Sequence, residues 1–306
     1  MTRHPLLTTA VLGTIGGLLA AGGGYYAASL RTVRGQSAAH PEFWRERRVG
    51  QAAGDTATGA DGLHPGALDY VVLGDSAAAG VGVKDPELGY VRHVEDDVSE
   101  STGHAVRTTN LAVPGARTRH LLDDQMPLFD RVCTDLRGRT GHGPDLVTCV
   151  IGGNDMIDPR FDPVVFEDTL EELFARLPRY SVVSTIPSFA VPPFETRVKA
   201  ANTVVLRQAE KHDMVLADLY GPYRKLWPVK YFRHCAGDFF HPNARGYEVW
   251  GEAIGQAAVR SLELRAGGTF GCGPDGTDTA PTHAAEAPAT SRPTVPPVTS
   301  PLASAA

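Results

Sequence analysis

"LDYVVLGDSAAAGVG", residues 68–82, runs an apolar strand straight into a glycine-rich turn. A turn of that kind after a strand often cradles phosphate, using bare amides and a lysine. This one carries Asp75 and Ser76 instead. The Walker spacing is missing, because Val83 precedes Lys84, and GxGxxG is missing as well. The turn is therefore either a plain strand-to-helix connection or the seat of a nucleophile, and the rest of the chain has to decide between them.

Outward from this stretch the pattern alternates. "GYVRHVEDDVSEST" has the spacing of an amphipathic helix. "VRTTNLAV" reads as a second strand, and "DLVTCVIGG" as a third that is apolar on both faces. "DPVVFEDTLEELFARL" opens with an Asp cap and a first-turn proline, so it predicts a helix. "YSVVSTIP" and "MVLADLY" give strands four and five. "ETRVKAANTVVLRQAEKH" lies between them as a helix, and "PNARGYEVWGEAIGQAAVRSLE" follows as the last helix. Continuous apolar strands separated by helices predict a parallel sheet covered on both faces. In such sheets the chemistry collects beyond the carboxyl ends of the strands.

Those ends carry a consistent set of polar groups. Strand one ends in Gly74-Asp75-Ser76, strand two in "NLAVPGA" with Asn110 and Gly115, and strand three in "GGND" with Asn154 and Asp155. "DFFHPN", with Asp238 and His241, precedes the last helix. A serine hydroxyl needs an adjacent base to act as a nucleophile near neutral pH. His241 is the candidate base, and Asp238, three residues earlier, can fix its tautomer. An oxyanion formed on the attacked carbonyl needs donors. The candidates are the Ser76 and Gly115 backbone N–H groups and the Asn154 side-chain amide.

Taken in order, the GDS turn, the glycine of "NLAVPGA", the GxND of "GGND" and the terminal DxxH resemble the SGNH or GDSL hydrolase family over roughly residues 68–264. The resemblance implies an α/β fold, a flavodoxin-like three-layer α/β/α sandwich on five parallel strands. It also implies a metal-independent serine esterase that works through an acyl-enzyme. Ser76 would be the nucleophile, His241 the base, Asp238 its partner, and Ser76, Gly115 and Asn154 the oxyanion donors, with Asp155 buttressing its turn. Ala77 stands where the family name has Leu, at a position the chemistry does not use. Lysophospholipase, thioesterase and carbohydrate deacetylase activities remain open on the same residues, as does a catalytically silent binding module. No cofactor is implied. Apolar segments 188–195 and 222–233 are expected as pocket loops, which suggests an apolar acyl group on a lipid or cell-envelope ester.

The two ends differ from this middle. Leu6 to Leu30 contains no charged side chain and is long enough to span a bilayer. Residues 1–34 thus read as a signal peptide or a retained anchor, similar to the start of exported actinobacterial GDSL esterases, with a membrane-anchored or secreted cell-envelope location. Against export, Arg31, Arg34, Arg45, Arg47 and Arg48 all follow the apolar stretch, which favours a cytoplasmic catalytic side. Residues 35–66 read as a linker, partly packed, with helix over "PEFWRERR". Residues 67–272 form the hydrolase domain. Residues 273–306, rich in Pro, Ala and Thr, cannot offset their ordering entropy and are expected to be disordered.

The net charge of −6 gives no reason to expect a nucleic-acid partner. The four cysteines, Cys133, Cys149, Cys235 and Cys272, form no CxxC pair, and His234, Cys235, Asp238 and His241 match no common zinc spacing. Cys149 reads as a buried thiol, and a Cys235–Cys272 bridge is permitted. The oligomeric state is not fixed by any of this.

Overall fold

The structure is a computed structural model. It describes the backbone of residues 5–57, 66–189, 193–226 and 229–266, and the side chains of all of these except 5–21, 52–57 and 229. The 273–306 tail and Cys272 lie outside the described residues. Five strands form one all-parallel sheet: β1 (Leu68–Gly74), β2 (Val106–Asn110), β3 (Leu146–Val150), β4 (Val182–Ser184) and β5 (Val215–Ala217). Their order is β2-β1-β3-β4-β5. Val72 stands opposite Asn110, and Gly74 opposite Val150. The five strands expected from the sequence are all present and are shorter than their apolar runs, because the last residues of each run leave the ladder to build the loops.

The helices are α1 (Pro5–Ala57), α2 (Tyr90–Thr102), α3 (Thr118–His120), α4 (Met126–Thr140), α5 (Gly153–Ile157), α6 (Pro163–Arg176), α7 (Phe194–Lys211), α8 (Tyr220–Leu226), α9 (Val229–Arg233) and α10 (Ala244–Ala266). Side chains alternate across each strand, as the pleat requires. Tyr70, Val72, Leu146, Val150, Val182 and Val215 enter the core shared with α1, α2 and α10. Val71, Leu73, Val147, Cys149 and Val183 enter the opposite core, under α4, α6 and α7. Each large side chain buried this way stabilises the fold by about 1.5–3 kcal/mol. The result is the three-layer α/β/α sandwich, with its topological switch point between β1 and β3.

Three expectations need correction. The sequence reading placed no helix between β2 and β3, yet a helical run extends from Thr118 to Thr140. A wide π-helical turn over Leu121–Gln125 joins α3 to α4. Leu122, Met126, Phe129, Cys133 and Leu136 do follow helical spacing, but Asp123, Asp124 and Pro127 interrupt the pattern. The linker reading of 35–66 gives way over its first part, because α1 continues unbroken through Pro41 to Ala57. Trp44 on that stretch is only 3% exposed and belongs to the core. Segment 222–233 is helical wherever it is described, and α8 and α9 bury Tyr223 and Tyr231. Cys133, Cys149 and Cys235 are buried, and Cys272, the other half of the permitted bridge, lies outside the described residues.

Candidate active site

Gly74 ends β1, and the chain turns sharply through Asp75 and Ser76 at the switch point. The Asp75 carboxylate accepts from the Ala77 N–H at 2.9 Å, closing the turn locally. Gln125, projected from the π-helical turn, donates to the Gly74 carbonyl at 2.7 Å and accepts from its N–H at 3.1 Å. Asn110, at the end of β2, donates to the Ala78 carbonyl at 2.8 Å and so braces the loop. The Tyr247 hydroxyl donates to Val81 O at 2.5 Å from α10.

The loop is also gripped by α1. The Trp44 indole N–H donates to Ala79 O at 3.2 Å. The Gln36 amide donates to Val83 O at 2.7 Å and accepts from the Gly82 N–H at 3.0 Å. The backbone of nucleophile loop 76–83 is thus tied down at almost every residue.

The base loop is pinched at its root. Cys235 pairs with Pro242 in an antiparallel bridge, and Ala236 N–H donates to His241 O at 2.7 Å. Within it Asp238 accepts from the Phe240 and His241 N–H groups, both at 3.1 Å. Asn243 donates to the Arg233 and Cys235 carbonyls and accepts from Gly246 N–H, launching α10. Gly82 joins the two loops. Its φ is +108°, and a Cβ there would lie 2.2 Å from the Pro242 carbonyl and 2.9 Å from the His241 Cβ. Only glycine allows this approach.

The sequence-predicted residues meet across this junction. His241 Nε2 lies 2.8 Å from Ser76 Oγ, and His241 Nδ1 lies 2.5 Å from Asp238 Oδ2. Ionised carboxylates only accept, so Nδ1 carries the proton and Nε2 accepts from the serine hydroxyl. Burial alone would raise the Asp238 carboxyl. The hydrogen bond and charge of His241, with the two backbone N–H groups, outweigh it and hold the group below the usual carboxylate range. Asp75 is pushed the other way. It is buried, and desolvation raises its carboxyl to about 6 despite the Ala77 and Asn154 bonds. Asp155 is raised by burial too, although it accepts from the Thr118 hydroxyl at 2.7 Å and the Thr118 N–H at 3.1 Å. That is a buttress between α3 and α5, the role the sequence suggested for it.

The oxyanion candidates are not equivalent. Neither the Ser76 nor the Gly115 N–H donates to another protein group among the described residues. Gly115 has a φ of +83° with open space where a Cβ would stand, so its glycine serves the turn rather than a crowded contact. The Asn154 amide, in contrast, is fully engaged: it donates to Asp75 Oδ2 at 3.1 Å and to Ala116 O at 3.0 Å.

A narrow cavity of about 40 Å³ opens beside Ser76, lined by Val150, Ile151, Pro187, Phe189, Phe240 and His241 among others. Phe189 comes from the expected 188–195 segment, of which 190–192 lie outside the described residues. No described lining residue comes from 222–233. Two wider clefts, about 600 and 660 Å³, lie against α10 away from Ser76 and share Glu252, Gln256, Arg260 and Glu263. Among the described residues no three His, Cys, Asp or Glu side chains cluster as metal ligands.

The sequence model of the GDSL-like lipase/acylhydrolase family matches residues 72–249, more than half of the chain. No curated protein matches it. Among solved structures, a variant of the acetyl xylan esterase Axe2 from Geobacillus stearothermophilus is 19% identical, with a TM-score of 0.51 over 63% of this chain and 95% of that one. TesA is 18% identical, with a TM-score of 0.51 over 64% and 100%. The lipase/acylhydrolase from Enterococcus faecalis is 23% identical, with a TM-score of 0.48 over 65% and 96%. At these identities the likeness is one of fold. The family model carries more, because it spans the GDS turn, the GGND loop and the DxxH pair together: the chain belongs to the GDSL-like lipase/acylhydrolase family and is a carboxylic ester hydrolase.

Proposed function

We propose that Ser76, His241 and Asp238 form a catalytic triad that hydrolyses acyl esters through an acyl-enzyme. The observation that carries this reading is the unbroken chain of hydrogen bonds from Ser76 Oγ through His241 to Asp238. Ser76 Oγ attacks the ester carbonyl while His241 Nε2 takes its proton. The tetrahedral intermediate collapses, the C–O bond to the alcohol breaks, and His241 returns the proton to the departing oxygen. Water then attacks the acyl-enzyme with His241 again as base, releasing the carboxylic acid and the free serine. The ionised Asp238 stabilises the imidazolium in both halves. The Ser76 and Gly115 N–H groups donate to the oxyanion. Asn154 joins them by giving up or sharing its bond to Asp75 as negative charge develops.

The narrow apolar cavity of about 40 Å³ beside Ser76 suits a short acyl group. The uncharged Leu6–Leu30 stretch supports attachment to a membrane, and with it a lipid or cell-envelope ester as the natural substrate. Replacing His241 by Ala should abolish hydrolysis of p-nitrophenyl acetate, and Asp238→Ala should lower kcat severely. Steady-state kinetics on the two variants test the reading, and near-wild-type turnover by His241→Ala would overturn it.

A further inference from the structure

The rim of the base loop carries an aromatic patch that the ester chemistry leaves unexplained. Phe239 sits between Asp238 and Phe240, yet it points outward and is 49% exposed. It holds a φ of +60°, which is uncommon for any side chain but glycine and an outlier for a bulky one. Strain of that kind tends to persist where function requires it. The Phe239 ring stacks on Tyr26 of α1 with centroids 6.2 Å apart, and Phe232 of α9 meets it edge-on at 5.8 Å. Phe232 is itself 49% exposed and Tyr26 43%. Behind Tyr26, α1 packs against the same loop, since a Cβ on Gly237 would run into Ser29 and Tyr25.

Charge and continuity identify what covers this patch. The chain as a whole is acidic, with a net charge of −6, but neither residues 25–41 nor residues 219–237 contain a single Asp or Glu. Between them they hold Arg31, Arg34, Arg224, Lys225, Lys230 and Arg233, all exposed. Aromatic rings bordered by exposed basic groups match the interface of an anionic bilayer, where rings sit at headgroup depth and cations pair with lipid phosphates. Tyr25 and Tyr26 also fall within the last turns of the uncharged Leu6–Leu30 stretch, on the same continuous helix.

We propose that the Tyr26–Phe232–Phe239 patch docks the active-site mouth on the surface of an anionic lipid bilayer, so that membrane-resident esters reach Ser76 without leaving the interface. This rests on the serine-esterase reading for its substrate class, but the docking itself does not. Phe240, the next residue after Phe239, lines the cavity beside Ser76, so the patch and the reaction site share one loop.

The test uses the full chain reconstituted into phosphatidylcholine vesicles with about one third phosphatidylglycerol. A Phe232→Trp variant is compared with wild type, using lipids brominated near the headgroup. Added quenching at position 232 is expected, and its absence overturns the docking whatever the activity. Two acetate esters are then hydrolysed, p-nitrophenyl acetate in water and hexadecyl acetate within the bilayer. The triple variant Lys230→Glu, Phe232→Ser, Arg233→Glu should lose about tenfold on hexadecyl acetate and stay within twofold on the soluble ester. Equal effects on both esters, or no effect on either, overturn the proposal. Quenching at 232 in the Phe232→Trp variant, with neither ester hydrolysed by the wild type, would refute the esterase reading alone.

Discussion

Asn154 shows how far a single residue could be read. Its place in "GGND" at the end of β3 marked it as an oxyanion donor, and it does sit beside Asp75 and the 115–116 turn. Nothing in the sequence said that both its amide hydrogens would be engaged, because the partners come from loops 38 and 79 residues away. If one of those hydrogens serves the oxyanion, Asn154→Ala should lower kcat by about 10²–10³ and leave KM within a few-fold, since the ground-state carbonyl is the weaker acceptor. A folded variant with unchanged kcat would leave Asn154 as a turn residue only. Asp75 offers a second test. Its carboxyl titrates at about 6 when folded and near 4 when unfolded, so the folded state binds the extra proton between those values. Stability is therefore lost as pH rises from about 4 through about 6. Asp75→Asn cannot titrate, and any fixed cost of the exchange cancels between pH values. In urea unfolding, the variant should gain about 2–3 kcal/mol on wild type between pH 4 and pH 8.

At the scale of elements, the legible parts were those with uninterrupted periodicity. The apolar runs behind β1 and β3 and the capped pattern of α6, where Asp162 does accept from Val164 and Val165, marked their elements clearly. The α3–α4 run was not legible, because its π-helical turn shifts the register and places Gln125 under Gly74. The reach of α1 was hidden for a different reason. Its contacts with the nucleophile loop run through Gln36 and Trp44, single side chains in a stretch dominated by alanine, arginine and glycine. Their role can be separated by measurement. Trp44→Ala should cost about 3–5 kcal/mol in thermal or chemical unfolding, as loss of a buried large ring does. Gln36→Ala leaves the Gly82 N–H and Val83 carbonyl without their partner. It should lower kcat on a soluble ester more than it raises KM, since it loosens the loop that carries Ser76. Unchanged kinetics would confine α1 to a stabilising part.

At the scale of the whole molecule, a parallel sheet with a core on each face followed from the strand–helix alternation, while the strand order and the surroundings of the sheet did not. The α1 helix spans 53 residues, about 80 Å at 1.5 Å per residue, and all of it precedes the matched family region. Among the described residues no helix is long and apolar enough to cross a membrane, and much of Leu6–Leu30 falls where side chains are not described. The uncharged sequence nevertheless predicts that the full chain sediments with membranes and resists a carbonate wash, with protease shaving reporting the side on which the catalytic domain lies. Recovery in the soluble cytosolic fraction would refute membrane insertion. The contact between Gly82 and Pro242 has a consequence for how the enzyme comes into being. Ser76 and His241 lie 165 residues apart, and nothing but folded contacts brings them together. In the proposed triad the nucleophile leaves the ribosome long before its base, and α10, whose Tyr247 steadies the serine loop, emerges last of the described elements. The newborn chain is therefore chemically silent while it is being made. Hydrolysis switches on only when translation has delivered the final helix.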